Sequence, residues 1–405
     1  MTLVGASWGA NVSKDTVHLV ASFSLALLII IIVLAAVGGT YLAVKGTDTT
    51  TTTSSDTTTA TTTATGTDTA TGTGTGTRPN NWTPAVDVDF GTTPDARARF
   101  LDSYRTDNCT QTSGRSDYTA GVADMDNLLT VDSGELVIKV GALSGSCSNN
   151  WCSGGSGTPC RASLRFESKD EYGAGTLFVM RGKVPTACGT WPAYWTTVRN
   201  GWPVGGEIDI VETAGPLDVI HSTLHTGPAP PSCSIDYSRM PDGYAPGPQQ
   251  NCYSDPSAIN YGCGVSFPRN TQQGVYAMWM DIVAGAEDPG IKMFFWSYDT
   301  NVAVLQQPGG PLHANPDPAS WNKQLYAFFR VGEAEGAWQG CPASTFGRQV
   351  NVINTELAGG FPDAFWNASG CSAAGTVTES VQNMDPNDPG TMWRFSLLRI
   401  LTSET

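Results

Sequence analysis

Apolar and polar positions divide this chain into three regimes. From Thr16 to Val44 no charged residue interrupts the sequence, and Leu25 to Val37 is almost wholly aliphatic. At 1.5 Å per residue, the ~20 residues needed to cross a bilayer fit inside that run. It is longer than the ~7–15 apolar residues of a cleaved signal peptide and follows a long polar head. The pattern therefore predicts a transmembrane signal-anchor over 17–44, behind a short cytoplasmic tail of 1–16, with secretion after cleavage near Gly38 as the alternative. Residues 46–77 then contain only Thr, Gly, Ala, Ser and Asp. Such a stretch cannot bury enough surface to repay its ordering entropy, so 45–80 reads as a Thr-rich disordered stalk of the kind that carries O-linked sugars.

From Asn81 onward the period changes to that of short strands. Glu135–Val140, Thr176–Met180, Val219–His225, Val275–Val283, Ile291–Tyr298, Leu325–Phe329, Gln349–Ile353 and Trp393–Ile400 are rich in β-branched or aromatic residues and bounded by Gly, Pro, Asn or Asp. No amphipathic helix with caps stands out. Many short strands without alternating helices predict an all-β antiparallel sandwich over 81–405, in one domain.

Composition adjusts this picture in two places. Lys and Arg number 22 against 37 Asp and Glu, a formal charge of −15, which excludes nucleic acid or anionic lipid as the main partner. All ten cysteines lie from Cys109 onward, and with only four His no metal spacing accompanies them, so disulfides in an oxidising compartment are expected and no metal or other cofactor is. Lys14 and Lys45 flank the anchor almost symmetrically and leave its orientation open. The cysteines and the sequons Asn81-Trp82-Thr83, Asn108-Cys109-Thr110 and Asn367-Ala368-Ser369 place 81–405 on the extracellular or lumenal side.

The chemistry concentrates in Trp191-Pro-Ala-Tyr-Trp195, Trp202-Pro-Val-Gly-Gly206 and Glu207-Ile-Asp-Ile-Val-Glu212. In a regular strand Glu207 and Asp209 share one face, with Ile208 and Ile210 on the other, and Glu212 falls on the wrong side. One β-bulge between Asp209 and Glu212 restores it. The two glutamates then behave as an i, i+4 pair with Cα atoms about 13 Å apart. Side chains leaning toward each other bring the carboxyls to roughly 5–7 Å, which overlaps the ~5–5.5 Å of retaining glycosidases more than the ~6.5–9.5 Å of inverting ones.

With its Gly-Gly and Trp-Pro-Ala-aromatic-Trp preface, Glu-x-Asp-x-x-Glu resembles glycoside hydrolase family 16, in its laminarinase-like fungal branch of endo-1,3(4)-β-glucanases. The likeness continues through Tyr172-Gly173, Lys183-Val-Pro185, Thr223-Leu-His-Thr226, Gly274-Val-Tyr-Ala277 and Gly290-Ile-Lys292. It implies a curved two-sheet jelly roll with a concave sugar cleft, and a β-glucan as partner. Carried over, Glu207 is the nucleophile, Glu212 the general acid/base and Asp209 the residue that orients the nucleophile. Trp195, Trp202 and His225 are expected to bind substrate, since indole faces pack on sugar rings. The chain departs from the family pattern at Ala358–Trp366, where fungal relatives carry Cys-Gly-Asp-Trp-Ala-Gly, and at Met278-Trp279, where they read Glu-Trp. The predicted activity is retaining hydrolysis of internal β-1,3 or mixed β-1,3/1,4 linkages. The alternatives are a wall-remodelling transglycosylase using the same intermediate, or a membrane-tethered glucan-binding protein without turnover.

Overall fold

Period-2 alternation builds two antiparallel sheets whose apolar faces meet. A computed structural model describes residues 81–403 except 108–113, 145–159, 218, 228–232, 240–244, 248–249, 256–261, 267–271 and 333–340. The tail, anchor and stalk expected over 1–80 lie outside the described residues, as do Cys109, Cys147, Cys152 and the Asn108 sequon. Among the described residues no helix is long and apolar enough to cross a membrane.

In the first sheet the strands run Leu325–Arg330, Gly290–Ser297, Gln273–Asp281, Thr176–Lys183, Met392–Ser403, Glu135–Lys139 and Leu129–Asp132, with Trp82–Asp89 also pairing Met392–Ser403. The order in the second is Ala245–Pro246, Cys263–Ser266, His221–His225, Glu207–Glu212, Thr190–Thr197, Val350–Leu357, Arg165–Ser168 and Tyr104–Thr106. A small three-stranded sheet of Ser116–Asp117, Cys160–Ala162 and Leu143–Ser144 accompanies them. The predicted antiparallel all-β architecture is what forms.

Alternation sorts the side chains. Phe178 and Met180 of the first sheet meet Tyr194, Ile208, Leu224 and Ile353 of the second in one core. Leu177 and Val179, their sequence neighbours, point the other way into a second cluster capped by Trp82, Leu305 and Trp321. A fully buried side chain of this kind contributes about 1.5–3 kcal/mol. Met278 sits in the inter-sheet core and Trp279 in the outer cluster, so the Met278-Trp279 departure is accommodated by packing.

Helices do occur, contrary to the strand-dominated reading. The longest described, Ala96–Ser103, packs Phe100 into the core. Val377–Asn383 opens with a reciprocal capping box between Thr376 and Glu379, a signal present in the sequence as Thr-x-x-Glu. Disulfides join Cys188 to Cys371, Cys233 to Cys341 and Cys252 to Cys263, and Cys160 is disulfide-bonded as well. Two of these bonds hold the Pro- and Gly-rich insertion that follows His225, where a staple is expected to restrain a long loop. The third ties the segment after the helix Gly360–Phe365 to the entry of Thr190–Thr197.

Candidate active site

Glu207–Glu212 runs through the second sheet between His221–His225 and Thr190–Thr197. Its entry depends on Gly205 and Gly206, both at positive φ (94° and 85°). A Cβ on Gly205 would meet the Val198 side chain at 2.6 Å, and one on Gly206 would meet Phe346 at 2.9 Å. Here the tight approach and the backbone region both require glycine. Gln349 Nε2 donates to the Gly205 carbonyl at 2.7 Å and fixes the turn.

The bulge expected from the sequence is present. Against His221–His225, Glu207 lies opposite His225, Asp209 opposite Thr223 and Glu212 opposite His221, with the register shifting between Asp209 and Glu212. Against Thr190–Thr197, the partners are Thr197, Trp195 and Ala193 respectively. Directly opposed residues share a face, so all three carboxylates stand on the side of the sheet away from the core while Ile208, Ile210 and Val211 are fully buried.

Each acid has a different partner. Glu207 has beside it the side chain of Trp202, an exposed residue whose ring lies 6.4 Å from that of His225. Asp209 Oδ2 is 3.2 Å from His225 Nε2, and His225 Nδ1 is 2.9 Å from Ser254 Oγ. Glu212 Oε1 accepts a hydrogen bond from Trp191 Nε1 at 2.8 Å. Trp195, on the same face, donates instead to Asn354 Oδ1 at 2.8 Å, and the Arg165 guanidinium lies 4.9 Å over its ring. Every candidate named from the sequence thus falls on one face of one sheet, with Trp202 arriving from the loop.

Trp191, Asn354, Arg165 and His221 join them without having been singled out. Trp191 and Trp195 have the same parity, and only the register, which sets Ala193 opposite Glu212, shows which indole reaches the acid. The Ala358–Trp366 departure has a structural counterpart here. The helix Gly360–Phe365 puts Phe361 5.9 Å from the Trp191 ring and 5.2 Å from His221, with Phe365 5.8 Å from His221. An aromatic edge survives beside Glu212 although the family residues are absent.

Burial raises all three acids together, so the roles are separated by position and partner rather than by charge. Burial, then the charge of Asp209, pushes Glu212 up to about 7, against the Trp191 hydrogen bond and His225, which favour the charged form. Burial also raises Asp209. Burial, then the charges of Asp209 and Glu212, pushes Glu207 up to about 8, against His225 and Trp202, which favour the charged form. Burial lowers His221 to about 4, so that imidazole is neutral at ordinary working pH. Glu207, Asp209 and His225 are the one described cluster able to offer a cation three ligands, their atoms lying within 4.8 Å of one another. The same closeness suits a set of acids sharing protons.

A pH dependence follows. A group that must be protonated to act loses activity as pH rises through its pKa, so the alkaline limb of kcat on glucan is expected near neutrality, about pH 7, rather than near 4.5. In Glu212→Gln assayed on a substrate with an activated leaving group, that limb should disappear. Parent activity already lost by about pH 6 would contradict the assignment.

The outward Glu-x-Asp-x-x-Glu strand sits on a two-sheet antiparallel sandwich, the arrangement expected of a carbohydrate-active domain. The family description "XgeA-like, catalytic GH16 domain" matches residues 103–401. The chain belongs to glycoside hydrolase family 16. It is 28% identical over 260 residues to an endo-1,3(4)-beta-glucanase of Arthroderma benhamiae, covering 60% of this chain and 51% of that protein. To a probable glycosidase of Schizosaccharomyces pombe it is 31% identical over 204 residues, 47% of this chain and 44% of the other. The chain therefore spans about half the length of these curated relatives. Among solved structures, Laminarinase 16A of Phanerochaete chrysosporium with β-glucans bound superimposes with a TM-score of 0.61 at 23% identity, over 79% of this chain and 99% of that one. A family 16 β-1,3-glucosyltransferase gives 0.58 at 21%, over 80% and 100%. At these identities the structural likenesses establish the fold.

Proposed function

We propose that this chain is a retaining endo-glycosidase that cleaves β-1,3 or mixed β-1,3/1,4 glucan. The observation that carries the reading is the bulge, which sets Glu207 and Glu212 on one face with Asp209 between them and gives each glutamate a different partner. Glu207, beside Trp202 and opposite His225 in the ladder, attacks the anomeric carbon in its charged form, which His225 and Trp202 favour against burial. Glu212, held toward its protonated form by burial, protonates the departing glycosidic oxygen and then takes a proton from the water that releases the sugar. Asp209 and His225 orient the nucleophile, and Trp195 and Trp202 offer apolar faces to the sugar rings. The substrate class is supported by the endo-1,3(4)-beta-glucanase named above.

Incubation with laminarin and with barley β-glucan, followed by mass spectrometry and reducing-end assay, tests this. Short oligosaccharides with a matching rise in reducing ends are expected. Elongated products without new reducing ends would establish the transglycosylase instead, and binding without any product would leave a glucan-binding protein.

The charge-free run, the Thr-rich stalk and the disulfides also support an anchor over 17–44 that holds 81–405 at the cell surface or in the secretory lumen. The full-length chain is expected to stay with carbonate-washed membranes. Recovery from the medium with an N-terminus near Gly39 would show cleavage and overturn the tether.

A further inference from the structure

The bulge that brings Glu212 to the working face needs a device that chooses it. Without it, the strand would pair regularly and turn Glu212 toward the core. Ile210 is the extra residue. Along Thr190–Thr197, Val211 lies opposite Tyr194 and Asp209 opposite Trp195, and nothing lies opposite Ile210. Along His221–His225, the register passes from Asp209–Thr223 to Glu212–His221, leaving Ile210 and Val211 facing Ser222 alone. A bulged residue leaves the ladder locally disrupted, and a buried peptide carbonyl without a donor is costly.

The Ile210 carbonyl is met by side chains. Ser222 Oγ donates to it at 2.5 Å, and the Tyr326 hydroxyl lies 3.3 Å from it and 3.1 Å from Ser222 Oγ. Since the Ser222 proton goes to the carbonyl, the Tyr326 proton points to that carbonyl or to Ser222 Oγ. All three residues are fully buried. Tyr326 comes from Leu325–Arg330 in the opposite sheet, so the contact crosses the core and ties the bulge to a strand that carries none of the acids. In the regular register the two hydroxyls would lose this acceptor.

We propose that Ser222 and Tyr326 are positioning residues that lock the bulge at Ile210 and so hold Glu212 level with Glu207. The proposal rests on the reading of those glutamates as acid/base and nucleophile. Neither hydroxyl touches the reacting atoms. Their effect passes through the backbone to Glu212, whereas Glu207 enters the strand before the bulge and keeps its register without them. Loss of the lock should therefore impair proton donation selectively.

The test compares the parent with Tyr326→Phe, Ser222→Ala and the double variant of the full chain. Thermal unfolding and near-ultraviolet circular dichroism establish that each is folded. On laminarin, kcat is expected to fall roughly 10–100-fold in the double variant with KM within about 2-fold. On a laminaribioside with a dinitrophenyl leaving group, which needs no proton, the first step should change by less than about 3-fold. An independent readout needs no turnover. The Trp191 indole N–H, bonded to Glu212, should shift in the proton–nitrogen spectrum, while that of Trp393, bonded to the Asn354 carbonyl, stays in place. A folded variant with unchanged laminarin kcat and a stationary Trp191 signal would overturn the proposal, as would equal losses on both substrates. If the parent cleaves no β-glucan, the functional reading fails and the Trp191 signal decides the lock alone, supporting it if it moves and refuting it if it does not. Should the double variant not fold, Tyr326→Phe, which keeps the ring's volume, carries the same readouts.

Discussion

Glu207→Ala is expected to lose glucan turnover by roughly 10⁴-fold or more, because no other group on the face can take its place at the anomeric carbon. Asp209 is the nearest carboxylate, but it is engaged with His225 Nε2 at 3.2 Å and lies almost fully buried. The substitution leaves a carboxylate-sized space on the nucleophile's side of the sugar. Added azide should enter it and attack from that side, giving a glycosyl azide of inverted configuration from a substrate with a good leaving group. Rescue of rate with that stereochemistry identifies the missing group as a nucleophile, which loss of activity alone does not. Near-normal turnover by this variant on laminarin and barley glucan would remove Glu207 from the mechanism.

Glu212→Ala should behave differently in each respect. On laminarin the loss is expected to be about 10²–10⁴-fold, the usual worth of general acid/base catalysis. With a dinitrophenyl leaving group the first step needs little proton donation and should be nearly spared, so a glycosyl-enzyme accumulates and appears as a burst. Azide should then speed the second step and yield a product of retained configuration, because the intermediate on Glu207 still forms. The structure gives this variant a further signature. Trp191 Nε1 loses its acceptor, so the indole signal should move even without substrate. If both variants lost equal activity on every leaving group, the division of labour between the two glutamates would fail.

The acids were legible because their parity is wrong. Six residues with carboxylates at the first, third and last positions cannot share a face in a regular strand, so the sequence itself demands the bulge that the register between Asp209 and Glu212 shows. Sandwich architecture was legible for a similar reason, since strands such as Gln273–Asp281 and Gly290–Ser297 state their period locally. What stays hidden depends on pairing between distant segments. Nothing near Trp191 says that it, and not Trp195, bonds Glu212, and Asn354 reaches Trp195 across 159 positions. Phe361 arrives beside His221 from a segment that departs from the family pattern, and Tyr326 reaches Ile210 from the other sheet. Thr376-x-x-Glu379 is a local signal of another kind, obscured by the strand-rich sequence around it.

The most direct measurement is covalent capture. A 2-deoxy-2-fluoro laminaribioside with an activated leaving group slows both steps but the second more, so a retaining enzyme is left glycosylated. Peptide mass spectrometry of the trapped protein is expected to find the sugar on the peptide carrying Glu207, attached to that side chain, with no adduct in Glu207→Ala. A sugar attached to any other residue, or an untrapped parent that releases products of inverted anomeric configuration, would contradict the assignment of Glu207 as nucleophile.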